Sequence, residues 1–339
     1  MKTQTHNRLH RARISPEAVP TKSELEARQE AALRTVHLIS RYAGRELPLR
    51  AVPPEVEVKL TKPGIYILDH EVAARGAIAS TSFEFDGKKL SGAMDSAHAV
   101  LAGNLGTTYA SGHESLTEIA AKCYLKREYA DRLTRAEREV NISREVAAAG
   151  ELAMSTVAVA VMPEDFEGGP VVLLSRWVDE LYTFDNQPWN RGLTATNVAN
   201  AQTASRVLGR FNSKGKVHRD AKVKNVASQA GGRVGMIDFE TTTPFDVTDP
   251  ISAGEAVHAD FGLLTSSMAD KGFFRLKTNP VTYQDNSNEM REVLSGMATS
   301  YMESWQDSPY EVQDAIFNAA VEIVDTRMSE AGAVYNPYV

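Results

Sequence analysis

Cysteine is almost missing from this chain. Its 339 residues include one, Cys123, so no intrachain disulfide can form and a reducing, cytoplasmic setting is expected. Long apolar runs are missing as well. Nothing approaches the roughly 20 consecutive apolar residues that a membrane-crossing helix needs, and Val157-Ala-Val-Ala-Val-Met162 reads as a core strand. The N-terminus lacks the apolar centre of a secretory signal. A net positive charge is absent: 37 Lys and Arg against 44 Asp and Glu give −7, which speaks against a protein built to wrap nucleic acid. The first 16 residues run the other way, with Lys2, Arg8, Arg11 and Arg13 and no acid. They read as a disordered basic tail, with an organelle transit peptide or a nucleic-acid arm as alternatives. There is no internal repeat and no low-complexity tract.

What is present suits two lobes, each with its own core. Ser23-x-x-Glu26 is a capping-box signature. Leu25, Ala32, Val36 and Ile39 follow at helical spacing, with Gly44 as a stop. Pro48, Pro53 and Pro54 mark a boundary near residue 54. Between 55 and 95 the pattern allows a strand at Val56-Glu-Val58, a helix after Pro63 and a turn at Asp86-Gly87. Short strands are expected at 97–102, 107–110, 118–124, 155–162 and 170–178, with a long helix over 133–152. Helices are expected at 196–212, 252–268, 287–305 and 309–328. Strands first and helices afterwards indicate an α+β chain. The division is a basic and helical extension over 1–54, a β-rich lobe over 55–178 and a helical lobe over 179–339.

Between helices lies a polar stretch, VHRDAKVKNVASQAGGRVGMIDFE, residues 217–240. His218-Arg219-Asp220-x-Lys222-x-x-Asn225 fixes five positions, a match expected by chance on the order of once in ten thousand chains this long. Thirteen residues on, after the apolar Val234-Gly-Met-Ile237, comes Asp238-Phe239-Glu240. Together they resemble the catalytic loop and the Asp-Phe-Gly element of protein kinases, with the glycine replaced by Glu240. A solvated turn with a mixed charge set is the bland alternative.

The resemblance implies a bilobal protein-kinase-like fold and a reaction with ATP and Mg2+. A nucleotide triphosphate carries about four negative charges, and its terminal phosphoryl leaves through a loose transition state that metal ions and cations stabilise. Asn225 and Asp238 would hold the metal through oxygen. Asp220 would accept the proton of an acceptor hydroxyl, Lys222 would neutralise the phosphoryl in flight, and His218 and Arg219 complete the loop. Lys122, ending the strand Glu118–Tyr124, is similar to the kinase lysine that grips the α- and β-phosphates. By itself a lysine in a strand is usually solvent-facing. Gly103-x-x-Gly106 is similar to the glycine loop that closes on phosphates, with Leu101 where a first glycine would stand; a plain hairpin turn would explain it equally well. Glu139, on the apolar stripe of the helix over 133–152, is the expected partner of Lys122, with Glu137 in reserve. Backbone near Arg176, Trp177 and Val178 would face the adenine, although a simple core strand is the alternative there. Asp260 would fasten the catalytic loop.

The match covers about 96–268. Only 22 residues separate Asp238 from Asp260, with no Ala-Pro-Glu between them, which is more like small atypical kinases. Lys222 is the feature expected of Ser/Thr protein kinases. The expected partners are ATP and a hydroxyl acceptor, with Ser or Thr of a protein preferred and a sugar, lipid or metabolite as the alternative. A nucleotide-binding pseudokinase scaffold is a third reading, opposed by the presence of Lys122, Asp220, Asn225 and Asp238. A phosphate on Thr241, Thr242 or Thr243 could order the following loop through Arg219.

Overall fold

Alternation along one strand sorts the N-terminal lobe into two faces. In β5 (Glu114–Tyr124), Ile119, Ala121 and Cys123 point one way into a core shared with Ala32, Val36 and Ile39 of α1 (Lys22–Tyr42). Tyr124 points the other way, into a second core with Ala136 and Val140 of α2 (Tyr129–Ala148). The period of two therefore puts Lys122 on the α2 side. The computed structural model describes residues 22–42, 46–68, 78–90, 98–124, 128–152, 154–165, 169–176, 178, 181–229, 232–274 and 286–334.

The strands of this lobe are β1 (Leu49–Ala51), β2 (Gly64–Ile67), β3 (Ile78–Leu90), β4 (His98–Tyr109), β5, β6 (Thr156–Val161) and β7 (Val171–Arg176). They form one sheet in the order β1-β2-β6-β7-β5-β4-β3, antiparallel except for β1 beside β2. The boundary expected near residue 54 falls between two hydrogen-bonded strands of this sheet, so α1 and β1 share a core with the later strands. The helix expected after Pro63 is strand β2, held by an antiparallel register from Gly64↔Val161 to Ile67↔Ala158. Val56-Glu-Val58 is no strand, and Asp86-Gly87 lies inside β3, where the register shifts between Phe85 and Leu90. The basic tail lies outside the described residues.

The C-terminal lobe is helical: α3 (Ala195–Asn212), α4 (Pro250–Asp270), α5 (Ser287–Met302) and α6 (Tyr310–Val334). Local signals start two of these. The Thr194 side chain accepts the Asn197 N–H at the head of α3, and Asp249 accepts the Ser252 N–H at the head of α4, where Pro250 needs no donor partner. Their inner faces enclose Phe211, Phe261, Leu264, Tyr301 and Trp305, all buried. Between α3 and α4 run four short strands. β9 (Lys216–Val217) pairs with β12 (Thr243–Pro244), and β10 (Val226–Ser228) pairs with β11 (Val234–Met236) and with β8 (Tyr182–Thr183). The chain thus has a two-lobed α+β fold: a curled β-rich first half and a helical second half.

Candidate functional site

The polar run 218–225 is tied down by one buried acid. Asp260, on α4 and wholly inaccessible, accepts the backbone N–H groups of His218 (2.6 Å) and Arg219 (2.8 Å) and the Asn212 side-chain amide (2.8 Å). Three donors converging on one carboxylate fix the loop's course, and Arg219 can then sit at φ +63, a conformation costly for a side-chain-bearing residue. The Arg219 side chain donates to the Thr243 hydroxyl at 2.7 Å.

His218 does not reach solvent. Its ring packs against both Phe211 and Phe239, which stack on each other, and Nε2 meets the Ile237 carbonyl at 2.9 Å while Nδ1 accepts the Asp220 N–H at 3.3 Å. Packed on two aromatic rings and bonded to backbone, the His218 expected in the catalytic loop joins that loop to the Asp238 segment. The β10–β11 hairpin makes the second tie, since the Ile237 N–H donates to the Asn225 carbonyl at 2.9 Å.

Asp220, Lys222 and Asn225 do come together. Lys222 Nζ lies 2.6 Å from Asp220 Oδ1 and Lys224 Nζ lies 3.6 Å from Oδ2. The Asn225 amide nitrogen donates to the Asp220 carbonyl (2.8 Å) and carboxylate (2.9 Å). No described residue donates to the Asn225 amide oxygen.

Lys122 joins the two lobes. Its Nζ is 2.7 Å from Glu139 Oε2 on α2 and 2.5 Å from Asp238 Oδ1, and Glu240 Oε2 follows at 3.2 Å. The Tyr124 hydroxyl donates to Glu139 at 2.5 Å. Oxygens of Glu139, Asp238 and Glu240 lie within 4.8 Å of one another. Burial alone would push the Lys122 ammonium down, but Asp238 and then Glu139 outweigh it and hold it well above the ordinary lysine range. Burial likewise works against the Asp238 carboxylate, yet Lys122 holds it below its usual value. Glu139 goes the other way: burial raises it, with Lys122 opposing and Asp238 adding. Lys122 thus faces three carboxylates, of which Glu240 also meets Arg135, and the shift is upward at the most deeply buried acid. Asp238 is held at φ +68, a second strained residue at the same junction.

Of the two candidate acids on α2, Glu139 is the one that meets Lys122. Glu137 instead accepts the Leu60 N–H at 2.5 Å. Two contributors carry little or no mark in the sequence. Glu240 is visible there only as a replaced glycine, and it pairs with Lys122 and with Arg135 (3.4 Å), while Arg138 donates to its carbonyl at 2.9 Å. Tyr124 has no signal beyond its place two residues after Lys122 on a pleated strand.

Gly103 and Gly106 are not at a turn. Both lie in the middle of β4, laddered to Phe85 and Ser82 of β3 on one side and to Ile119 and Leu116 of β5 on the other. Their backbone is laddered to two neighbouring strands, where a glycine loop free to close on phosphates was expected. Gly106 has a local reason: a Cβ there would stand 2.5 Å from the Ser82 hydroxyl across the ladder. Arg176 is exposed at the end of β7 and Val178 is half-buried, while Trp177 lies outside the described residues.

No protein-family model matches this chain, and no curated protein matches it. Among solved structures, one titled "WaaP in complex with acyl carrier protein" is similar at 15% identity and a TM-score of 0.41, covering 78% of this chain and 92% of that one. Among the described residues no helix is long and apolar enough to cross a membrane.

Proposed function

We propose that the chain is an ATP- and magnesium-dependent phosphotransferase that moves the terminal phosphoryl group of ATP to a hydroxyl, in the manner of a small atypical kinase. The observation that carries this reading is Lys122, bonded at once to Glu139 and, 116 residues away in sequence, to Asp238. A cation suited to phosphate and an acid suited to a metal meet where the two lobes touch, with Asp220 and Asn225 tied to the same segment. The donor set fits a hard cation. Asp238 is held ionised, Asn225 has an amide oxygen that no described residue uses, and magnesium favours a few such oxygens with water and phosphate completing the shell. Bound there, magnesium would neutralise charge on the phosphates.

This chain's own residues would do the rest. Lys122 would hold phosphate oxygens, and Asp220 would accept the proton of the acceptor hydroxyl. The hydroxyl oxygen forms a bond to the terminal phosphorus as the bond from that phosphorus to the bridging oxygen breaks, and ADP leaves with the electron pair. Lys222, beside Asp220, would offset the charge that moves. Arg176 to Val178 would line the adenine end.

Lys222 favours Ser or Thr of a protein as the acceptor. A small-molecule hydroxyl is favoured by a different observation: after Asp238 the chain turns back within six residues to pair with β9 and enters α4 at Pro250, leaving little chain on which an extended peptide could dock. Incubation with γ-labelled ATP and magnesium, with added protein and with a metabolite extract, tests the reading. Wild type should yield labelled acceptor and Asp220→Ala should not. Label on protein or on metabolite decides the acceptor class, and bound nucleotide with no label anywhere would point to a pseudokinase and overturn phosphotransfer.

A further inference from the structure

Residues 53–60 form no strand: a turn closed by the Val56 N–H on the Pro53 carbonyl leads into 57–60, which lie against α2 with Val58 and Leu60 buried and Lys59 exposed between them. A sheet neighbour would normally satisfy such backbone. Here the side chains of one helix do so. Asn141 acts as a mimic of a strand, its oxygen accepting the Val58 N–H at 2.8 Å and its nitrogen donating to the Val58 carbonyl at 3.1 Å. One turn earlier Glu137 accepts the Leu60 N–H at 2.5 Å, and Arg144 donates to the carbonyls of Val56 (2.8 Å) and Pro53 (2.6 Å). Val58 and Leu60 enter the same core as Ala136 and Val140.

The helix gripped in this way is the one that presents Glu139 to Lys122. On its remaining side Arg135 and Arg138 reach Glu240 and its carbonyl. A Lys122–Glu139 pair at 2.7 Å tolerates little movement of α2, and lost geometry at a phosphate-gripping lysine is costly to turnover.

We infer that residues 53–60 are a built-in strap that holds α2 in its working position, and that Asn141 is the positioning residue through which it acts on the Lys122–Glu139 pair. No partner protein or modification is then required to seat the helix. The inference rests on the phosphotransfer reading.

The test compares wild type, Asn141→Leu, Asn141→Gln and Arg144→Ala in the full chain, by hydrogen exchange across 129–148 and by steady-state kinetics with magnesium-ATP. Asn141→Leu keeps the volume and loses both bonds. Exchange in α2 should rise and turnover should fall about tenfold to a hundredfold. Asn141→Gln, which retains a donor and an acceptor, should recover part of both. Arg144→Ala, removing an exposed contact at the far end of the strap, should move both in the same direction by less, and it serves if Asn141→Leu does not fold. Unchanged exchange, or faster exchange with undiminished turnover, overturns the strap. Wild type that transfers no label sinks the phosphotransfer reading instead, so the two failures are told apart.

Discussion

A short run of residues was legible at the residue scale because the chemistry was local in sequence. His218, Arg219, Asp220, Lys222 and Asn225 stand within eight positions, and their spacing alone suggested a loop that holds charge. Asp260 was legible only through the resemblance, as the aspartate expected to fasten that loop. Asp260→Ala should cost roughly 3 kcal/mol or more, because the donors of His218, Arg219 and Asn212 would be left buried at about 1–3 kcal/mol each. Urea unfolding curves would show it, and a loss under about 1 kcal/mol would mean that water replaces the carboxylate. Glu240 and Tyr124 were not legible as site residues. Each gains its role from a strand or helix more than a dozen residues away, and no pattern in their own neighbourhood records that. His218, a residue type common in catalysis, here packs its flat ring on Phe211 and Phe239 and bonds both nitrogens to backbone.

Element types were read well where periodicity ran long and poorly where it was short. The helices over 129–148, 195–212 and 250–270 carry apolar residues at helical spacing. The four residues of β2 have no room for a pattern, and Pro63 before them suggested a helix start; pairing with β6 decided the matter. Gly103 and Gly106 suggested a turn because glycine favours turns, but neighbouring strands on both sides of β4 hold them extended. Glycine also sets helix contact. A Cβ on Gly209 of α3 would collide with the Tyr301 carbonyl at the end of α5. Gly209→Ala gains about 1 kcal/mol of helix propensity but meets an overpacking cost of about 1–3 kcal/mol. The melting temperature should therefore fall, and a rise would show that α5 shifts freely.

At the scale of the whole molecule, a strand-rich half followed by a helical half was readable from sequence, while the meeting of the lobes at Lys122 was only an expectation until the distances were known. On the sheet's α1 face Cys123 is sealed from solvent. Burial pushes the Cys123 thiol up to about 12, so native protein should resist alkylation at about pH 8 and react only as it unfolds. The sign comes from linkage: a folded value above the unfolded value of 9.0 leaves the stability contribution intact below that value and erodes it as pH rises toward about 12. The stability gap between wild type and Cys123→Ala should shrink over that range in denaturant titrations, and a gap that widens would contradict a buried thiol.

Phosphate and metal are proposed to meet at the Lys122–Asp238 contact, and calorimetric titration with a non-hydrolysable ATP analogue and magnesium examines that point directly. Wild type and Asp220→Asn should bind alike, whereas Lys122→Met and Asp238→Asn should each weaken binding about tenfold or more, the worth of one charge-assisted bond. A wild type that takes up no nucleotide, or a Lys122→Met variant that binds as tightly as wild type, would contradict the account.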